Sequence, residues 1–168
     1  MSIKDQTLPV WTNMLSVLDG LLTKAEADAR GDALLQERLA EDMHPLAVQV
    51  RFLVNMPGEA MARLTGLDWT SRDDDPTTLA EARSWVATAK SQLNEWSSRD
   101  FVGADEAIEL AIPNGMTFDM SASEYVRDWA VPQYYFHTTS AYAILRKAGL
   151  ALGKADFVPH MMRYLRTG

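Results

Sequence analysis

Residues 8–29, LPVWTNMLSVLDGLLTKAEADA, decide the fold class. Leu8, Trp11, Leu15, Leu18, Leu22, Ala25 and Ala29 recur at alternating spacings of three and four. On a 3.6-residue period those positions draw one apolar stripe along a helix, the seam by which a helix joins a bundle. Pro9 then falls in the first turn, where its missing N–H costs little. After Gly31 a short amphipathic piece is expected from Ala33 to Leu39.

The same period returns three more times. A second helix is expected to open at Asp42, with Pro45 in its first turn and Leu46, Val50, Leu53, Met61 and Leu64 facing inward. Pro57-Gly58 interrupts it, so a bend or restart is expected there, and Gly66 is the stop. A third helix follows the acidic run Asp73-Asp74-Asp75, with Pro76 at the first helical position and negative charge at the positive end of the dipole. Leu79, Ala82, Val86, Ala89, Leu93 and Trp96 form its stripe. A fourth opens with the capping box Ser121-x-x-Glu124, ends in Arg146-Lys147 and stops at Gly149. Tyr125, Trp129, Phe136, Ala143 and Ile144 supply its apolar face. Because Tyr134-Tyr135-Phe136 is apolar nearly all round, this helix is expected to be the most buried. A tail from Leu150 to Gly168 carries a short helix near Met161.

Between the third and fourth helices the period changes to two. Ile108, Leu110 and Ile112 alternate with Glu109 and Ala111, and Met116, Phe118 and Met120 alternate with Thr117 and Asp119. Pro113-Asn114-Gly115 separates the runs, which predicts a small β-hairpin. The fold class is therefore all-α, a four-helix bundle with one hairpin, and residues 1–168 read as one domain.

Composition narrows the function. A net charge of −7 and a pI near 4.9 repel phosphate backbones and anionic membranes, so neither nucleic acid nor a membrane is an expected partner. The absence of cysteine removes disulfides, Cys-ligated zinc and a Cys nucleophile together. Met1-Ser2-Ile3-Lys4-Asp5-Gln6 lacks the apolar core of a signal peptide. The longest uncharged run, 17 residues between Asp128 and Arg146, is broken by Pro132, Gln133, His137 and three hydroxyl residues. A cytoplasmic location is expected.

Few residues suit chemistry. Of the three histidines, His44 falls in a helix first turn and His160 in the tail, whereas His137 lies mid-helix among aromatics. Gln133, four residues before it, shares its face, and Gln49, about two turns into the second helix, can project toward both across the bundle. Metal sites in bundles are assembled from facing helices in this way. A lone histidine with amide neighbours is more often a hydrogen-bonded core residue than a ligand, because it lacks the ligand set zinc prefers. The acidic run at Asp73 lacks the alternating acids and closing Glu of a calcium loop, and is simplest as a helix start.

Gln133-x-x-x-His137 and Leu145-Arg146-Lys147-Ala148-Gly149 in the last helix resemble the DinB/YfiT-like four-helix metalloenzyme superfamily. More narrowly, a set of motifs along the chain is similar to the branch known as domain-of-unknown-function family nineteen ninety-three. These are Asp42-Met43, Pro45-Leu46, Gln49, Tyr135-Phe136-His137, the run Ala141 to Arg146, Gly149 and the run Leu152 to Phe157. The resemblance spans nearly the whole chain and implies up-down-down-up helix order and a homodimer. It also implies a divalent metal, zinc or nickel, held by one histidine of the second helix and an HxxxH pair of the fourth. Those places fall on Gln49, Gln133 and His137 here, with His44 as an alternative donor from the second helix. Two functional classes follow. One is a divergent metal-dependent hydrolase or thiol-dependent transferase. The other is a metal-free bundle, either binding a small molecule or serving a structural role, so whether the chain is an enzyme stays open. A pocket lined by Tyr134, Tyr135 or Trp129 and open to solvent favours ligand binding; a filled one favours a structural role.

Overall fold

The structure, a computed structural model, describes residues 1–166; Thr167 and Gly168, the end of the expected tail, lie outside the described residues. Four long helices form the bundle: α1 (Ile3–Glu26), α2 (Leu46–Thr65), α3 (Leu79–Trp96) and α4 (122–147). Strands β1 (Ala107–Ala111) and β2 (Thr117–Ser121) stand between α3 and α4, and a one-turn α5 (Lys154–Phe157) follows. Single 3-10 segments occupy Gly31–Gln36 and Pro159–Tyr164, close to the two short pieces expected there.

Charge pairs give the helix directions. Arg83 of α3 reaches both Asp19 (3.2 Å) and Glu26 (2.6 Å) of α1, while Lys90 meets Asp19 at 3.7 Å, so α1 and α3 are antiparallel. Gln49 and Leu53 of α2 meet His137 and Tyr134 of α4 in reversed order, so this pair is antiparallel too. The Lys24 amine bonds to the Ala151 carbonyl just beyond α4, which makes α1 and α4 parallel. The order is up-down-down-up, with α1 diagonal to α2 and α3 diagonal to α4. One continuous core draws on all four helices and on Ile108 and Leu110 of the hairpin.

Helix ends differ from the sequence expectation where local caps compete. The first helix starts at Ile3 because Ser2 and Asp5 form a reciprocal capping box, which leaves Pro9 in the second turn. Pro9 and Asp5 are both exposed, so water can pair the Asp5 carbonyl that the proline leaves without a donor. Ala29 lies beyond the helix and is exposed. The second helix starts at Leu46, with Pro45 as its cap residue rather than inside it. Pro76 precedes α3, which begins at Leu79 on the Thr78 cap; the Leu79 N–H is taken by the Asp32 carboxylate at 2.7 Å. The acidic run is instead tied to α2, with Arg51 bound to the Asp73 carbonyl (2.6 Å) and the Asp75 carboxylate (3.1 Å).

Pro57-Gly58 does not interrupt α2, and two contacts explain why. Proline 57 cannot donate to the Leu53 carbonyl, and the fully buried Tyr134 hydroxyl donates there instead, at 3.0 Å. At Gly58 an added Cβ would sit 2.2 Å from the Trp69 indole, so glycine lets that ring lie directly on the helix backbone. Gly66 ends α2 in the left-handed region, as expected.

The hairpin pairs Ile108 with Met120 and Leu110 with Phe118. Its turn carries a hydrogen bond from the Gly115 N–H to the Ile112 carbonyl, with Gly115 at φ 85°. Helix α4 keeps the Ser121–Glu124 capping box but is not uniform. An α turn (Ala122–Glu124) leads into a π segment (Tyr125–Ala130), and the α register resumes at Val131–Lys147. The π segment ends at Ala130, two residues before Pro132, which has no N–H to continue the ladder. Nor is α4 buried all round: Tyr135 and Phe136 are exposed, while α1 and α2 carry most of the fully buried side chains.

Candidate functional site

The antiparallel contact between α2 and α4 builds a cleft of ≈ 490 Å³. Phe52, Met56 and Glu59 form the α2 wall, Trp129, Gln133 and His137 the α4 wall, and the hairpin turn Ile112–Asn114 closes one end. Phe118 of β2 packs near Trp129, with ring centroids 6.5 Å apart, which fixes the hairpin against the mouth.

At the floor, His137 Nδ1 lies 2.8 Å from Gln49 Oε1. Gln49 is buried, and its amide nitrogen donates to the His44 carbonyl at 3.3 Å, which sets the amide orientation. Its oxygen can only accept, so the His137 proton sits on Nδ1 and Nε2 carries a lone pair. Among the described residues Nε2 has no hydrogen-bond partner, and it is not sealed from solvent, leaving it available to the cleft that His137 lines. Phe52 and Phe136 meet the imidazole edge-on at 5.0 and 5.1 Å. Burial, with a smaller contribution from the nearby His44 charge, pushes the His137 pKa down to about 4, so the ring is neutral at physiological pH.

The residues singled out by sequence thus divide. His137 and Gln133 line the cleft, as does Trp129. Gln49 lies behind His137 and orients it. His44 is exposed, outside α2, and reaches the site only through its carbonyl and an edge contact of 5.4 Å with Phe52. Tyr134 faces away, toward the core, with its hydroxyl engaged by the Leu53 carbonyl, and so does not line the cleft. Sequence reasoning missed Phe52, Met56, Glu59 and the hairpin turn. The first three follow Gln49 at spacings of three, four and three, a second stripe on α2 beside the core stripe. The hairpin's part depends on tertiary placement and has no signature in its own residues.

A zinc or nickel ion requires several convergent nitrogen, oxygen or sulfur donors. Among the described residues, no three His, Asp or Glu side chains converge. Two atoms ligating one ion at about 2.1 Å in a tetrahedral shell stand about 3.4 Å apart. Gln49 Oε1 and His137 Nδ1 are closer than that and share a proton. Glu59, the carboxylate on the cleft wall, accepts the Ser71 hydroxyl at 2.7 Å. One imidazole and one uncommitted amide, Gln133, do not fit such an ion.

Comparison with known proteins places the fold. A solved DinB family member protein from Shewanella denitrificans is 33% identical, with a TM-score of 0.75 over 92% of this chain and 90% of that one. No curated protein matches significantly. No helix among the described residues is long and apolar enough to cross a membrane. The family defined as Domain of unknown function (DUF1993) matches residues 3–158, and this DinB-like chain belongs to it.

Proposed function

We propose that the cleft binds a small, mostly apolar molecule without a metal ion, oriented by His137 Nε2 and the Gln133 amide. The observation carrying this reading is the 2.8 Å contact between His137 and Gln49. It engages the two groups on each other and leaves one neutral imidazole nitrogen facing a cleft with Phe52, Met56, Ile112 and Trp129 on its walls. Apolar walls with a few convergent polar atoms are the ordinary make-up of a small-molecule site. The acceptor at Nε2 selects a ligand bearing a hydroxyl or N–H on an aromatic or aliphatic body.

The test has two arms. Tag-free protein incubated with zinc, nickel and manganese is analysed for metal, and wild type is expected to hold far less than one ion per chain. A stoichiometric ion lost in His137→Ala would overturn the reading and favour the hydrolase or thiol-dependent transferase class. Phenol and anisole, alike in shape but differing in the donor, are then titrated while Trp129 fluorescence is followed in a variant lacking the other tryptophans' contribution. Phenol is expected to bind more tightly by about tenfold, the effect of one hydrogen bond, and to lose that margin in His137→Ala. Equal binding of the two probes would sink the assigned role of Nε2.

For the homodimer, the supporting feature is the apolar band of Pro132, Tyr135 and Phe136 on the exposed side of α4, beside Leu39 and Met43. Sedimentation equilibrium of wild type and Phe136→Glu checks it; a monomeric wild type would exclude it.

A further inference from the structure

On the other side of α2, between it and α3, lies a second and smaller cavity of ≈ 220 Å³, roofed by the connection that follows Gly66. Its walls are the Trp69 and Trp85 indoles, with Val54 and Ala89 beneath and Gln92 at the rim. Arg72 bears the one formal charge among the lining residues. Its guanidinium carbon sits 3.9 Å above the Trp85 ring centroid, a cation–π contact that presents the flat fork to the cavity. The Asp74 carboxylate is 3.9 Å from Nε, and both side chains are exposed, so that pairing is weak; the Glu81 carboxylate also feels the Arg72 charge but forms no ion pair with it among the described residues. The two terminal nitrogens of Arg72 carry no hydrogen bond among the described residues.

This roof is irregular in backbone yet firmly attached. Asn55, buried in α2, accepts from the Arg72 N–H at 3.0 Å and donates to the Arg72 carbonyl at 2.8 Å. The Trp69 indole N–H bonds to Ser71, which bonds in turn to Glu59, and Trp69 meets Trp96 edge-on at 5.5 Å. Gly58 beneath leaves the room that Trp69 needs. The Trp69 indole and the Arg72 backbone are therefore held in place before any ligand arrives, which lowers the ordering cost of binding.

We propose that this cavity is a second small-molecule site, distinct from the cleft at His137, and that it takes a single-ring aromatic carboxylate. The ring lies against Trp69 over the Val54 and Ala89 floor, and the carboxylate meets the free edge of Arg72. Two parallel N–H donors suit a carboxylate bidentately. The aromatic walls would also suit a cation, but Arg72 already occupies the Trp85 face and no acid lines the cavity. The volume is sufficient for one aromatic ring.

Benzoate, benzyl alcohol and benzylamine are titrated into the full ¹⁵N-labelled chain, reading the indole N–H resonances of Trp69 and Trp85. Benzoate is expected to shift both saturably at millimolar concentration, with benzylamine inert. Arg72→Gln, which keeps the backbone clamp to Asn55, is expected to weaken benzoate by about tenfold or more while leaving benzyl alcohol unchanged. Gln92→Trp, which fills the cavity from its rim, is expected to abolish binding, and His137→Ala is expected to bind as wild type does. The proposal fails if benzoate shifts neither indole by about 10 mM, if Arg72→Gln binds it equally, or if His137→Ala loses it.

Discussion

Replacing Tyr134 with phenylalanine removes one oxygen from the core and should do more damage than its size suggests. The hydroxyl is the donor for the Leu53 carbonyl, which faces Pro57 one helical turn later and therefore has no helical N–H. Tyr134 is completely buried, so water cannot take the hydroxyl's place. Leaving a buried carbonyl unpaired costs about 1–3 kcal/mol, and for a chain of this size each kcal/mol lowers Tm by about 2–4 °C. Tyr134→Phe is thus expected to melt several degrees below wild type by circular dichroism, and to lose a matching free energy in urea. The decisive comparison is made in a Pro57→Ala background. Alanine restores an N–H at position 57, and the Leu53 carbonyl then has its own helical donor. There, Tyr134→Phe should cost less than about 0.5 kcal/mol, so the two changes should couple by roughly 1 kcal/mol or more. If Tyr134→Phe costs the same in both backgrounds, the hydroxyl does not stand in for the missing proline donor.

Three further expectations follow from the site and its surroundings. His137 has a folded pKa of about 4 against about 6.5 unfolded, so between those values the unfolded chain binds the extra proton and stability falls as pH falls; above about 6.5 the term vanishes. Urea unfolding of wild type and His137→Gln from pH 4 to 8 checks this, since the difference between them should slope only inside that window. Gly58→Ala drives a methyl into the Trp69 indole and should cost about 1–3 kcal/mol, with the Trp69 resonance displaced in the same spectrum that reads benzoate binding. The double variant Gln49→His, Gln133→His supplies the imidazoles that the family resemblance implies, but position 49 meets His137 Nδ1 while position 133 lines the cleft, so by elemental analysis it should still hold well under one zinc per chain; a stoichiometric ion would mean that the three positions do fall within one coordination sphere.

Helix number and type could be read from the sequence because each helix repeats its stripe over four or more turns. Leu79, Ala82, Val86, Ala89, Leu93 and Trp96 are all buried, as their spacing requires. The hairpin, too, was legible in its alternation and its Asn-Gly turn. Helix starts were less so, since proline is acceptable both within the first turn and just ahead of it, and a side-chain cap decides between them. Ser2 with Asp5 starts α1 early and leaves Pro9 inside it, whereas Thr78 with Glu81 starts α3 late and leaves Pro76 ahead of it. The continuity of α2 through Pro57 was illegible for a different reason: the compensating donor lies 81 positions ahead in sequence distance. In the site, helical spacing brought Gln133 and His137 onto one wall, but only tertiary packing could show that Gln49 lies behind the imidazole. Aromatic composition likewise misjudged α4, because Phe136 stands outside the bundle while Tyr134, two residues earlier, is sealed within it.

The bond between Gln49 and His137 also bears on how the bundle tolerates an open polar site. An imidazole between two helices needs a partner for Nδ1, and a neighbouring glutamine supplies an acceptor while its amide nitrogen finds the His44 carbonyl. The network is closed at that end, with neither Gln49 nor His137 Nδ1 left as an unpaired buried atom. An ion is therefore not required to balance the polar groups behind the cleft. What is left unmet is the single acceptor at Nε2, directed at a space with aromatic and aliphatic walls. A molecule that donates one hydrogen bond and buries one apolar face answers both demands at once, and neutrality of the ring down to about pH 4 keeps that acceptor available across the physiological range.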